Sequence, residues 1–340
     1  MTRLSDPTMR SAGLPDQFGR MARDLRVSVT DRCNLRCTYC MPAEGLPWMP
    51  KPDMLTDEEM LRLIGLFVRQ GVTQVRLTGG EPLLRRSLVD IVAGIAALEP
   101  RPRIAMTTNG VGLERIAGRL AEAGLDRVNV SLDTIDSDTF TQLTRRDRLS
   151  DVEAGLRAAA EAGLTPVKVN AVAMRGVNDH AVSDVLAWCL ERGYELRFIE
   201  QMPLDAQHAW DRSVMVTAEE IREELGKRFT LTPLPAADRG SAPAERFLVD
   251  GGPSTVGIIA SVSQPFCAAC DRTRLTADGQ VRNCLFSTTE TDLRGPMREG
   301  ATDEELIALM KGEMWRKRRG HGIGDPDFVQ PDRPMSAIGG

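Results

Sequence analysis

Three cysteines stand as Cys33-x-x-x-Cys37-x-x-Cys40, just after a short apolar run that reads as a strand. One tight loop therefore presents three thiolates, one short of the four that close an iron–sulfur cluster. A 4Fe–4S cube held this way keeps one iron without a protein ligand. That iron can bind a small molecule and pass it an electron. Tyr39 falls between the second and third cysteines, where a ring can pack against whatever the open iron holds. The competing readings are a zinc site or three free thiols. Structural zinc ordinarily takes four protein ligands, with a second Cys or His pair nearby, and no such pair follows.

A second group, Cys267-x-x-Cys270 followed by Cys284, again supplies three thiols. The alternatives are a second 4Fe–4S cluster with its own open iron and a zinc ribbon whose fourth ligand is missing or distant. None of His180, His208 and His321 is close in sequence, although folding could bring one near. Two open clusters facing one cavity suit a reaction that starts and ends with single electrons. Beside Cys270 lies Asp271-Arg272-Thr273-Arg274. Arginines at alternate positions of an extended segment project to one side, and their forks match phosphate oxygens. Arg26, Arg76, Lys168 and Arg197 mark four of the strand-like runs. A charge inside a barrel strand is costly unless it faces a polar cavity or finds a partner. A convergent set suggests a polyanionic substrate, although single members could point outward or pair with nearby carboxylates.

The elements that must position these groups follow a βα rhythm. Strands are expected at 25–30, 74–78, 103–107, 127–132, 166–172 and 195–200. Helical patterns lie at 57–70, with a Thr56/Glu59 capping box, and at 87–98, 113–123, 152–162 and 179–192. This alternation implies parallel βαβ units, two short of a full eight-stranded barrel. A further helix is expected at 217–227, then a Pro-, Ala- and Gly-rich loop at 233–244. Strands at 247–249 and 256–262 follow, and a hairpin of 273–276 with 280–283. The domain expectation is a flexible leader over 1–23, a partial barrel over 24–232, a C-terminal cluster region over 233–330 and a tail over 331–340. The basic run from Lys311 to Arg319 reads as a solvated helix end, and the terminal Gly339-Gly340 on its own as a frayed tail.

The 340 residues are 42% hydrophobic and 27% charged, enough for an ordinary core. No apolar stretch approaches the ~20 residues that span a bilayer. The amino terminus has no apolar signal core, and six of seven cysteines fall into two local groups rather than a disulfide framework. A cytoplasmic protein is expected, with Cys189 a buried helix thiol. The net charge of −5 argues against nucleic-acid binding.

The first cysteine loop resembles that of the radical S-adenosylmethionine (SAM) enzymes. Gly79-Gly80-Glu81-Pro82 resembles their segment along the SAM amino group, and Asn129-Val130-Ser131-Leu132-Asp133 another SAM-contacting strand. Nearly the whole chain is similar to one family of these, the GTP 3′,8-cyclases that open molybdenum cofactor biosynthesis. The distinctive parts are Cys267-Ala-Ala-Cys270-Asp-Arg-Thr-Arg274, Cys284 and the ending Arg333-Pro-Met-Ser-Ala-Ile-Gly-Gly340.

The resemblance implies an α/β fold, an incomplete six-unit TIM-type barrel with a C-terminal extension carrying the second cluster. It implies that Cys33, Cys37 and Cys40 hold the SAM cluster, and that Cys267, Cys270 and Cys284 hold a cluster facing guanine. Tyr39, Gly80, Ser131 and Met202 would line SAM. Arg26, Arg76, Thr107, Lys168, Arg272, Thr273 and Arg274 would contact GTP, and Gly339 and Gly340 would enter the cleft. A 5′-deoxyadenosyl radical would take the C3′ hydrogen of GTP, and the ribose carbon would then close onto C8. Implied partners are a flavodoxin- or ferredoxin-type one-electron reductant and a downstream cyclic pyranopterin monophosphate synthase, with a homodimer left open. Gln74 departs from the lysine of some relatives. The rivals are a peptide-modifying radical SAM enzyme with an auxiliary cluster, and a non-enzymatic zinc or electron-carrier protein.

Overall fold

Alternation along each strand divides this molecule into a dry outside and a polar inside. In β1 (Asp24–Ser28), Leu25 and Val27 are fully buried in the main apolar core, while Asp24 and Arg26 line an interior cavity. In β2 (Gln74–Thr78), Val75 and Leu77 pack outward and Arg76 and Thr78 face in. The period of two makes both assignments at once. The computed structural model describes residues 13–235, 237 and 239–339.

β3 (Arg103–Thr108), β4 (Arg127–Ser131), β5 (Lys168–Ala173) and β6 (Glu195–Glu200) continue the parallel series. Between strands run α1 (Asp57–Arg69), α2 (Leu88–Ala96), α3 (Ala117–Glu122), α4 (Ser137–Thr144), α5 (Leu149–Glu161) and α6 (Val182–Glu191). Their apolar stripes cover the outside of the sheet, with Leu63, Phe67, Ile91, Leu120, Leu156 and Leu186 in one core. Cys189 is buried within α6. The Thr56/Glu59 capping box forms as expected, satisfying two of the donors a helix start leaves open. The expected strand at 166–172 starts at Lys168, because Pro166 has no N–H to give to a ladder. The expected helix at 113–123 becomes a short 3₁₀ turn followed by α3. α4 was not expected. Its Ser and Thr residues are poor helix formers, and the Asp136 carboxylate starts it by accepting from the Thr139 N–H at 2.8 Å.

After α7 (Ala218–Gly226), β7 (Leu231–Pro233), β8 (Glu245–Val249) and β9 (Thr255–Ile259) join one sheet edge. β10 (Arg272–Leu275), β11 (Gln280–Arg282) and β12 (Thr291–Asp292) join the other. β9 pairs in parallel with β6 and β10 in parallel with β1, so the C-terminal strands lengthen both ends of the barrel wall. The hairpin of β10 and β11 pairs Arg274 with Arg282. α8 (Arg294–Arg298), α9 (Asp303–Trp315) and α10 (Met335–Ile338) complete the chain.

Two expectations are corrected by packing. Of the leader, residues 1–12 lie outside the described residues, but 13–23 are built into the fold. Leu14 is fully buried, and the buried Asp16 holds the Arg20 guanidinium at 2.5 Å. The basic run at 311–319 is not wholly solvated: Lys317 is only 3% exposed. No helix among the described residues is long and apolar enough to cross a membrane.

Candidate active site

The first cysteine set lies where β1 ends. The loop after β1 carries Cys33, Cys37 and Cys40, and the C-terminal end of α4 with the Arg145 that follows it holds it in shape. The Arg36 N–H donates to Thr144 O at 2.9 Å and the Thr38 N–H to Leu143 O at 2.9 Å. Arg145 Nη1 reaches Arg36 O and Met41 O at 3.0 and 3.1 Å. Arg36 Nη1 in turn donates to Cys33 O at 2.8 Å. Burial pushes the Cys33 thiol up to about 11 and the Cys40 thiol up to about 12. The Tyr39 hydroxyl donates to the Asp133 carboxylate at 2.8 Å, and the Val172 N–H donates to the same carboxylate at 2.8 Å. Burial raises the Asp133 carboxyl to about 6, against those two bonds.

Gly79 and Gly80 pass so close to the cysteine loop that side chains cannot fit. A Cβ on Gly79 would lie 2.2 Å from Thr30 O, and one on Gly80 2.3 Å from Arg32 O. The approach is sealed by Gly80 N–H to Thr30 O at 2.8 Å and Glu81 N–H to Arg32 O at 2.7 Å. Glu81 is buried, and burial lifts its carboxyl to about 7 although Asn109 N–H, Thr108 Oγ1 and Leu83 N–H all donate to it.

Cys267 and Cys270, just ahead of β10, and Cys284, just after the antiparallel β11, line the same cavity from the end of the sheet where β10 begins. Burial pushes the Cys270 thiol up, but Lys317 and Arg272 outweigh it and hold the thiol below its usual range. His321 does come near, on the cavity wall, yet Nε2 is taken by Ser261 O at 2.9 Å and Nδ1 by the Ile323 N–H at 3.1 Å. Both ring nitrogens are thus occupied, leaving none to complete a four-ligand zinc ribbon.

Between the two cysteine sets lies a cavity of about 350 Å³ lined by Arg26, Arg76, Arg197, Arg272 and Arg274. Period-two register brings them together: Arg26 lies opposite Arg76 on one side and Arg274 on the other. Burial and then Arg26 push Arg76 down to about 9, and burial and then Arg127 push Arg197 down to about 10. Burial raises the Asp24 carboxyl, but Arg76, Arg26 and Arg272 hold it below the usual carboxylate range. Nε of Arg26, Arg76 and Arg272, Oδ1 of Asp24 and Oδ1 of Asn129 are buried without a hydrogen-bond partner. Such orphans are rare, and here they crowd one polar chamber. Above it an apolar cluster of Leu204, Met215, Val262, Phe286 and Ile323 packs with Met202 and Met335.

Most of the residues picked from sequence meet in this cavity: the six cysteines, Tyr39, Gly80, Ser131, Met202, Arg26, Arg76, Thr107, Arg272 and Arg274. Two do not. Lys168 forms an ion pair with Glu195 on the adjacent strand, off the cavity wall. Thr273 points the other way, its hydroxyl on Arg282 O at 3.3 Å, because alternation cannot send it where Arg272 and Arg274 go. Gln74 Oε1 accepts from Arg127 Nη2 at 2.9 Å. Gly339 packs against Ser28 and Thr78 and its carbonyl accepts from Arg274 Nη1, while Gly340 lies outside the described residues. Asp24 and Asn170 were missed, although Asp24 sits two residues from Arg26 on β1 and so shares its face, and Asn129 was named only as part of a SAM-contacting stretch.

Comparison with known proteins agrees with this construction. Residues 27–189 match the Radical SAM superfamily and residues 194–323 match Molybdenum Cofactor Synthesis C. These two matched segments meet near residue 190. The GTP 3′,8-cyclase of Streptomyces coelicolor is 65% identical over 328 residues, covering 96% of either chain. GTP 3′,8-cyclase 2 of Mycobacterium tuberculosis is 60% identical over 344 residues, covering 99% of this chain and 95% of that one. Among solved structures, native anSMEcpe with bound AdoMet superposes with a TM-score of 0.59 at 16% identity, over 90% of this chain and 82% of that one. Streptococcus suis SuiB superposes with a TM-score of 0.56 at 14% identity, over 85% and 71%. The solved structures support the fold alone, whereas identity at this level over nearly the full length of the cyclases decides the family. The chain belongs to the radical SAM superfamily and, within it, to the GTP 3′,8-cyclases.

Proposed function

We infer that this chain converts GTP to (8S)-3′,8-cyclo-7,8-dihydroguanosine 5′-triphosphate, the first step of molybdenum cofactor biosynthesis, with two 4Fe–4S clusters and SAM. The observation that carries the reading is the placement of two three-cysteine sets on one cavity with buried arginines between them. The residues fit these groups. Each set offers three free thiols to one cavity, the soft donors that iron of a cluster takes. Cys33, Cys37 and Cys40 would hold the first cluster and Cys267, Cys270 and Cys284 the second. When bound, these groups supply the single electron that splits SAM and the radical that takes the C3′ hydrogen of GTP.

The chain's own residues position and shield. Gly79 and Gly80, held against the cysteine loop, would line the SAM amino end, and Ser131 and Met202 would flank the rest of it. Asp133 fixes the Tyr39 ring against the first site. Arg26, Arg76, Arg272 and Arg274 would take the triphosphate and guanine side of GTP, satisfying the orphaned nitrogens with anionic oxygens. Thr107 stands on the same wall. The apolar cluster around Phe286 and Met202 excludes water from a reactive intermediate. Gly339 and Gly340 would complete the chamber from the tail. A cytoplasmic one-electron donor of flavodoxin or ferredoxin type would feed the first site, and a cyclic pyranopterin monophosphate synthase would take the product.

GTP deuterated at C3′ tests the reading. Anaerobic turnover with SAM and a reductant is expected to place deuterium in 5′-deoxyadenosine and to yield the cyclised nucleotide. 5′-Deoxyadenosine without deuterium would overturn it. A second expectation concerns the phosphates. Arg272→Ala removes charge-assisted hydrogen bonds worth roughly 1.5–3 kcal/mol, so GTP should bind about one to two orders of magnitude more weakly. Binding of SAM, measured in parallel by calorimetry, should barely change. Equal loss of both ligands would mark a damaged fold instead.

A further inference from the structure

Lys317, just beyond α9, is buried to 3% exposure, and no carboxylate pairs with it among the described residues. Its ammonium donates to Arg272 O at 2.6 Å and Cys270 O at 3.3 Å, and it lies 3.6 Å from Cys270 Sγ. A buried cation normally has an anionic partner, since carbonyl dipoles alone replace little of its lost hydration. The anion on offer is the Cys270 thiolate. Arg272 Nη1 approaches the same sulfur at 3.9 Å. On the other side of the loop, Arg20 Nη1 donates to Cys267 O at 2.7 Å, and the same guanidinium bonds Arg318 O and Arg319 O. Cations from both ends of the chain therefore grip the two carbonyls of the Cys267–Cys270 turn, and one of them reaches a sulfur.

We propose that Lys317 is a positioning residue that sets the charge of the second cysteine site, raising the reduction potential of the cluster held there. The proposal rests on the reading of Cys267, Cys270 and Cys284 as cluster ligands. Net charge and hydrogen bonds to sulfur are the levers a protein has on such a centre. Reduction adds negative charge, so a nearby ammonium favours the reduced state, and its removal shifts the potential downward.

The test is a redox titration followed by electron paramagnetic resonance on the full-length, anaerobically reconstituted enzyme. The first centre is identified as the signal lost when Cys33, Cys37 and Cys40 are changed to serine. In Lys317→Met the second centre is expected to titrate at a lower potential, with the first unchanged and iron still at about eight per chain. Lys317→Arg, which keeps the charge, is expected to restore the potential. An unshifted second centre in Lys317→Met, or equal shifts in the Met and Arg variants, would overturn the proposal. If Lys317→Met loads only about four irons, the comparison passes to Lys317→Arg and Lys317→Gln. Loading by Arg and not Gln supports the charge role, and equal behaviour of the two overturns it. Unaltered protein with only about four irons would instead remove the ligand assignment itself.

Discussion

Changing Cys267, Cys270 and Cys284 together to alanine is expected to abolish GTP cyclisation while leaving SAM cleavage measurable. The two cysteine sets share a cavity but not a support. The first loop is held by backbone bonds to Gly80, Glu81, Leu143 and Thr144 and by Arg36 and Arg145. None of these contacts involves the β10–β11 edge. Iron should therefore fall from about eight to about four per chain, with SAM affinity kept. 5′-Deoxyadenosine should still form, uncoupled from product, because the guanine end of GTP has lost its anchor and a reacting atom misplaced by 1 Å can cost about 10²-fold in rate. Assaying 5′-deoxyadenosine and cyclised nucleotide in the same reaction checks both halves. Cyclisation near the normal rate would show that the second set takes no part in holding substrate.

Removing Gly339 and Gly340 should lower cyclisation by about 10²-fold or more without disturbing the fold or either cluster. The described end of the tail is tightly fitted. Gly339 has φ +83°, and a Cβ there would lie 2.5 Å from Ser28 Oγ and 2.7 Å from Thr78 Cγ2. Its carbonyl accepts from Arg274 Nη1, one of the guanidiniums proposed for GTP. Truncation frees that guanidinium to turn and opens the gap between the ends of β1 and β2 to water. The rest of the tail should stay seated. Ile338 is fully buried, and Arg333 grips both oxygens of Asp278 at 2.9 and 3.0 Å and Glu290 at 2.6 Å. Gly339→Val should act like the deletion, since its side chain cannot enter the slot. A peptide ending in Gly-Gly, added in trans, should restore part of the activity to the truncated enzyme. Full activity after truncation would show the tail to be a bystander.

Local chemistry carried a large part of this protein into view from its sequence. Thiol spacing is a local property, so both cysteine sets were legible, as was the Gly79-Gly80 approach. The βα rhythm was legible for the same reason, because apolar alternation of period two and amphipathic patterns of period 3.6 are written residue by residue. Alternation also told that Arg272 and Arg274 share a face, and, applied to its end, would have excluded Thr273. Other features depended on which distant segments meet. Lys168 meets Glu195 only because β5 pairs with β6 in that register. α4, whose Ser and Thr side chains gave no helical signal, forms because it packs beneath the first cysteine loop. Lys317 looked like one of five solvated charges, and its burial follows from β10 reaching across to pair with β1. Asp16 and Arg20 looked like a loose leader until the chain's two ends closed on Cys267. Each of these is a contact between neighbouring strands or between segments apart in sequence, 45 residues for Lys317 with Arg272 and 247 for Arg20 with Cys267. Its energy comes from burying a particular pair together, and a linear pattern holds no record of which pair that will be.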